Sequence, residues 1–171
     1  LVALDVSQTP VRDLSPLRTL PLKTLLAQNA AVLTVSPLRG LRLEVLDLSG
    51  IRIADLSPLS GMPLRHLGLN RTLTADLRAL QGMPLETLAI CDCPVADFAP
   101  LATLPLKALA FTPSRGAKGI EILRRHATLE RIADSEVFHW NGNGWDARLA
   151  PTTAEFWKRI DAGEGPKKVR E

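Results

Sequence analysis

The residues best suited to chemistry in this 171-residue chain are three histidines, two cysteines and a set of aspartates that recur at a constant interval. An imidazole can act as a general base or a metal ligand, and a thiolate as a nucleophile or a metal ligand. Either use needs partners within reach, and the spacing withholds them. Cys91 and Cys93 are separated by one residue in a segment of alternating hydrophobicity, so they point to opposite faces of a strand and neither pair nor share a metal. They read as two packed thiols. His66 has no His or Cys at a metal-binding interval and reads as surface. His126 follows Leu123, Arg124 and Arg125 near a helix end, where a basic residue suits the dipole, and His139 stands among turn residues. None completes a nucleophile, base and acid set. Gly142, Asn143 and Gly144 lack the strand, glycine spacing and helix of a nucleotide loop and read as a turn. The expectation is a chain that is not an enzyme, with no catalytic residue, no metal and no cofactor.

The aspartates recur because the chain does. Copies start at Leu1, Leu22, Leu43, Leu64, Leu85 and Leu106, a step of 21 residues. The third copy, LEVLDLSGIRIADLSPLSGMP, shows the consensus. Five copies keep register without insertion, and the sixth opens as LKALAF and then degrades. The opening L-x-x-L-x-L alternates with period two, the signature of a short strand with one buried face. Leu4 and Val6, Leu25 and Ala27, Leu46 and Leu48, and their counterparts through Leu109 and Phe111 point inward. Strands at one fixed place in each copy stack into a parallel sheet along a solenoid. Asp13, Asp55, Asp76 and Asp97, with Thr34 in the second copy, occupy one position on the return path. Carboxylates one repeat apart are no metal cluster. Each is expected to cap a short helical turn by accepting exposed backbone N–H groups, and Pro16, three residues after Asp13, fits that turn because it needs no partner for an N–H.

The pattern resembles leucine-rich repeats, particularly the short bacterial kind with a D-L-x-P-L convex segment, over residues 1 to about 132. The resemblance implies an α/β solenoid with the parallel sheet on the concave face, short helical turns on the convex face and a helical C-terminal cap over residues 133–171. Where that pattern has an inward Asn or Cys after the strand, this chain has Thr9, Ala30, Ile51, Thr72, Cys93 and Ser114. Ala30 and Ile51 cannot bond the turn backbone through a side chain, so the second and third turns are expected to be the least protected.

Side chains flanking the inward residues form the variable face: Asp5 and Ser7; Leu26 and Gln28; Val45, Asp47 and Ser49; His66 and Asn70; Thr87 and Cys91. These are the candidate protein-binding residues. They carry no single-charge stripe and no aromatic anchor. Six strands about 4.8 Å apart and five residues at about 3.3 Å give roughly 400 Å² of footprint, below the roughly 800 Å² per partner of a standard interface. More surface is therefore expected from preceding repeats, loops or the C-terminal segment, and the first Leu, at a repeat boundary, reads as the start of a fragment.

Charge excludes one partner class. Lys and Arg number 21 against 18 Asp and Glu, and the first 105 residues balance at nine each, so the excess lies in the last third. A basic stripe interleaved with aromatics, expected of a nucleic-acid binder, is missing. No apolar run approaches the roughly 20 residues of a membrane span, and no leader precedes the first repeat. A soluble segment without membrane contact is expected. Two cysteines are too few for a disulfide framework, so the cytoplasm is favoured and the compartment otherwise left open.

Beyond the sixth strand the period changes. Ile120, Leu123, Leu129 and Ile132 suggest a helix and a last apolar segment closing the solenoid, and residues 133–150 read as a loop or hairpin around NGNG. In PTTAEFWKRIDAG, Thr152 and Glu155 form a capping box, Gly163 supplies the left-handed stop, and Phe156, Trp157 and Ile160 share a face. EILRRHATLERI followed by AEFWKRIDAGE is similar to the C-terminal ends of leucine-rich repeat regions attached to serine/threonine kinases in planctomycete and verrucomicrobial proteins. That implies a kinase neighbour; no kinase motif is present in this chain. Two functions follow as expectations: a non-enzymatic module binding another protein within a larger signalling or regulatory polypeptide, or an assembly module whose C-terminal helix mediates oligomerisation.

Overall fold

The computed structural model describes residues 2–112, 117–134, 139–140, 145–148 and 150–163, with backbone alone at 139, 140 and 145. Seven strands form one parallel sheet in chain order: β1 (Ala3–Asp5), β2 (Thr24–Leu26), β3 (Val45–Asp47), β4 (His66–Gly68), β5 (Thr87–Ile90), β6 (Ala108–Phe111) and β7 (Arg131–Ala133). Leu4 pairs with Leu25, Leu25 with Leu46, Leu46 with Leu67, and so to Leu109, so the 21-residue step of the sequence is the register of the sheet. Each strand is short because the chain must turn through the core and return within one repeat. The turn after the strand needs a left-handed residue, and Gln8, Asn29, Gly50, Arg71 and Asp92 supply it at one position, with φ between 53° and 76°.

The return path carries 3₁₀ turns at 15–17, 36–38, 57–59, 78–80 and 99–101. The expected capping is corrected in detail. Asp13 Oδ1 accepts the Ser15 N–H at 2.8 Å, and Thr34, Asp55, Asp76 and Asp97 accept the equivalent N–H of Ser36, Ser57, Arg78 and Ala99. The acceptor therefore sits one residue ahead of the cap position, which Leu14 occupies without a side-chain bond. This is an Asx-type turn, the local bond that short polar side chains make to an amide two residues on. The role is structural, as expected.

One hydrophobic core runs from Leu14 through the leucine rows to Phe156 and Trp157. Full burial of each leucine contributes roughly 1.5–3 kcal/mol before ordering costs. At the inward turn position, Thr9 Oγ1 donates to Val6 O at 2.6 Å and Cys93 Sγ to Leu69 O at 2.9 Å, while Ala30 and Ile51 are buried without such bonds. Ser114 lies outside the described residues.

The C-terminal end closes the core with aromatics in place of leucine. Helix α1 (Ile120–Arg124) is followed by β7, a seventh strand where the sequence suggested only a short apolar segment. Strands β8 (His139–Trp140) and β9 (Trp145–Asp146) form an antiparallel hairpin; the NGNG turn between them lies outside the described residues. Helix α2 (Thr153–Asp161) carries the complete Thr152–Glu155 capping box and is followed by Gly163 at φ +77°. Phe156 is fully buried, 6.1 Å from Phe111 and 5.0 Å from Trp157 between ring centroids. The Arg124 guanidinium lies 4.5 Å over the Trp157 ring and pairs with Asp161 at 2.7 Å. The aromatic helix is the outer layer of the cap.

Candidate functional site

The concave surface is a grid fixed by strand alternation. One row runs Thr24, Val45, His66, Thr87, Ala108, and the next runs Asp5, Leu26, Asp47, Gly68, Ala89, Ala110, Ala133. A third row, just past the strands, holds Ser7, Gln28, Ser49, Asn70 and Cys91. All the candidate binding residues fall on this grid, but the grid is not uniformly open. Asp5 is exposed, and Ser7, Leu26, Gln28 and His66 are half-buried. Val45, Asp47, Ser49, Asn70, Thr87 and Cys91 are buried, Asp47 completely. The expectation of a continuous exposed face is corrected for those six.

Part of the reason lies in the chain itself. Ala89, Cys91, Ala108, Ala110 and Ala133 form a second buried cluster with Ala150, and Ala147 packs against it. Ala147 and Ala150 thus cover the concave side of the last three strands, where side chains no larger than a methyl or thiol allow close approach. Arg131 holds the crossing by donating from Nη1 to the Ala150 carbonyl at 2.8 Å, and the Ile132 N–H donates to the Pro151 carbonyl at 3.2 Å. From there the chain enters α2, with Thr153 Oγ1 donating to Leu129 O at 2.8 Å. The run of Ala and Cys at outward positions of the fifth and sixth repeats signals a covered surface.

The open half is polar and cross-linked between repeats. Asp5 Oδ1 accepts the Ser7 N–H at 2.9 Å, and Ser7 Oγ accepts the Gln28 N–H at 3.2 Å. Gln28 Nε2 donates to Asp47 Oδ2, and Asp47 Oδ1 accepts the Ser49 N–H at 2.9 Å. These bonds fix side chains that would otherwise lose rotamer entropy on binding. Further along, Asn70 Oδ1 accepts the Cys91 N–H at 2.8 Å.

Asp47, Ser49 and His66 are the residue types of a hydrolytic triad on adjacent strands, but their geometry differs from one. The register places Asp47 opposite Gly68 and His66 opposite Val45. Both Asp47 oxygens take donors other than His66, while His66 Nδ1 and Ser49 Oγ are buried without a partner among the described residues. Burial pushes the His66 imidazole below its ordinary value of 6.5, with Glu86 opposing the shift. A base needs a bond to its nucleophile and an orienting acid, and His66 has neither among the described residues. Cys93 is likewise no activated thiol, since burial raises its pKa. The described residues contain no group of three or more His, Cys, Asp or Glu side chains able to hold a metal. His126 Nε2 lies 3.1 Å from the Leu101 carbonyl, a structural contact, and the His139 side chain is outside the description. Among the described residues no helix is long and apolar enough to cross a membrane.

No protein-family model and no curated protein matches the chain. Solved structures do. An internalin (inlF) from Listeria monocytogenes superposes with a TM-score of 0.61 at 24% identity, covering 75% of this chain and 42% of that one. Internalin C2 (inlC2) from the same organism superposes with a TM-score of 0.59, also at 24% identity, covering 78% of this chain and 70% of that one. The chain thus spans less than half the length of the first. The likeness, at this identity, is one of fold, and it agrees with the sheet, the 3₁₀ turns and the capping helix: this chain is a leucine-rich repeat solenoid.

Proposed function

We propose that the chain is a non-enzymatic protein-interaction module, carried as the accessory part of a larger signalling or regulatory polypeptide of the bacterial, kinase-associated kind. The observation that carries this reading is the open first half of the concave face. There Asp5, Ser7, Leu26, Gln28 and His66 retain access to solvent on a sheet whose backbone is fixed by the repeat and whose side chains are held by inter-repeat hydrogen bonds. A rigid polar platform with Leu26 as its apolar centre suits docking with little rearrangement. The fold likeness to bacterial internalins supports a bacterial leucine-rich repeat context. An assembly role through α2 loses its docking surface, because Phe156 and Trp157 are buried in the chain's own core.

The test is site-specific photo-crosslinking in cells of the source organism. A photoreactive residue at Leu26 or Gln28 is expected to trap a discrete protein adduct, and the adduct is expected to vanish when Asp5→Lys is added. A probe at Thr103, exposed on the return path of the fifth repeat, serves as the control. Adducts of equal yield from Thr103 and Leu26, insensitive to Asp5→Lys, would exclude the concave face as the docking surface.

A further inference from the structure

The exposed positions of the repeat alternate in charge along one edge, and that edge neutralises itself. Lys23, Glu44, Arg65, Glu86 and Lys107 occupy one position in successive repeats. Lys23 pairs with Glu44 at 2.6 Å, Lys107 pairs with Glu86 at 2.6 Å, and Arg65 bonds the same Glu86. The groove of about 540 Å³ along this row, with Pro63, Pro84 and Pro105 on its other side, is therefore charge-compensated.

Beside its first two repeats the compensation fails. Arg18 and Arg39 share one position, filled by uncharged Ser60, Gln81 and Ala102 in the later repeats. Arg42 stands where Pro21, Pro63, Pro84 and Pro105 stand in every other full repeat, so it is a departure that the solenoid does not require. All three arginines are exposed, and none of their guanidinium groups has an ion pair or hydrogen bond among the described residues. Asp13 and Asp55 feel Arg18 and Arg39 only as their weakest influence, after their own turn bonds. A groove of about 260 Å³ is lined by Arg18, Lys23 and Arg42 together with residues 19–22 and 40–41, and a neighbouring groove of about 370 Å³ continues past Arg42 to Pro63. Like charges held together on one edge raise the local potential and favour an anionic partner. Guanidinium groups favour planar carboxylates, which they can bind through paired N–H donors.

From this we infer that the edge formed by Arg18, Arg39 and Arg42 docks an acidic segment of the partner protein. The inference rests on the interaction-module reading and adds a second contact to the concave platform. A carboxylate-bearing peptide strand lies in the two grooves, with its acidic side chains on Arg18 and Arg42, which line them, and on Arg39, the chain neighbour of the lining residue Gly40. This surface is additional to the roughly 400 Å² of the sheet, which is small for a stable complex on its own.

Binding of a fluorescein-labelled oligoglutamate peptide, measured by anisotropy at low and moderate salt, tests the inference. The intact chain is expected to bind it. Combining Arg18→Ser, Arg39→Ser and Arg42→Ser is expected to weaken binding about tenfold, as the loss of three exposed ion pairs would. The charge-matched control Arg12→Ser, Arg52→Ser and Arg125→Ser, all at exposed sites, is expected to leave binding nearly unchanged. Equal loss in both triple variants, no binding by the intact chain, or equal or tighter binding of a charge-matched oligonucleotide would overturn the proposal. A Leu26 crosslink that persists in those cases leaves the interaction-module reading standing without its acidic contact. Loss of the crosslink with peptide binding intact separates the two in the other direction.

Discussion

The two ends of the concave sheet use the same backbone for opposite purposes. Over β1 and β2 the outward side chains are Asp5, Ser7, Leu26 and Gln28, partly open to solvent, with Asp5 accepting the Ser7 N–H and Ser7 accepting the Gln28 N–H. Over β5 to β7 they are Ala89, Cys91, Ala108, Ala110 and Ala133, closed beneath Ala147 and Ala150. Side-chain volume decides the difference. A returning segment can approach a sheet only where the outward residues are small, and polar residues would leave unsatisfied groups under such a cover. The fold thereby divides one continuous surface into a platform and a seal.

Breaking the closed end should be far more costly than altering the open one. Phe156→Ala removes a fully buried ring that contacts Phe111 and Trp157, and is expected to lower unfolding free energy by about 3–5 kcal/mol in chemical denaturation, against about 1 kcal/mol or less for Leu26→Ala. Equal effects would mean that the cap is not part of the cooperative core. Overpacking gives a smaller contrast. Ala110→Leu forces a larger side chain under Ala147 and Ala150 and should destabilise by about 1–3 kcal/mol. Thr24→Leu, on the half-open part of the sheet, should stay within about 0.5 kcal/mol.

Acidity distinguishes the edges more gently. Hydrogen bonds from Arg78 and its own backbone turn hold the Asp76 carboxyl at about 2, below its ordinary 3.8. Because the folded value is the lower one, this stabilisation is present above 3.8 and is lost as pH falls through about 2. Unfolding midpoints recorded downward from about pH 5 should therefore decline across that window, less steeply in Asp76→Asn. The change is small because the pair is exposed.

Much of this architecture was legible in the sequence because its determinants are local or periodic. The leucine rows, the left-handed Gly163 and the Thr152–Glu155 capping box each follow from residue type at a fixed offset. What could not be read depends on chain segments meeting without a period. Strand β7 was hidden because its step from β6 is 131 − 108 = 23 residues, not 21, once α1 enters the repeat. The burial of Val45, Asp47, Ser49, Asn70, Thr87 and Cys91 was hidden because alternation tells which face a residue takes, and not how much of it stays exposed; of the six, Cys91 belongs to the cluster with Ala147 and Ala150. The aspartate caps were assigned to the right job at a position one residue off, since a carboxylate reaches an amide two or three residues on in either geometry.

Thiol accessibility in the native chain tests the division of the concave face most directly. Cys91 and Cys93 are both buried, so the unmodified chain supplies a quiet background for a thiol reagent. A cysteine introduced as Asp5→Cys should react at the rate of an exposed thiol, and one introduced as Ala110→Cys should be protected until the chain unfolds. Comparable rapid labelling at both positions would show that the last strands are as open as the first, and would contradict the division into platform and seal.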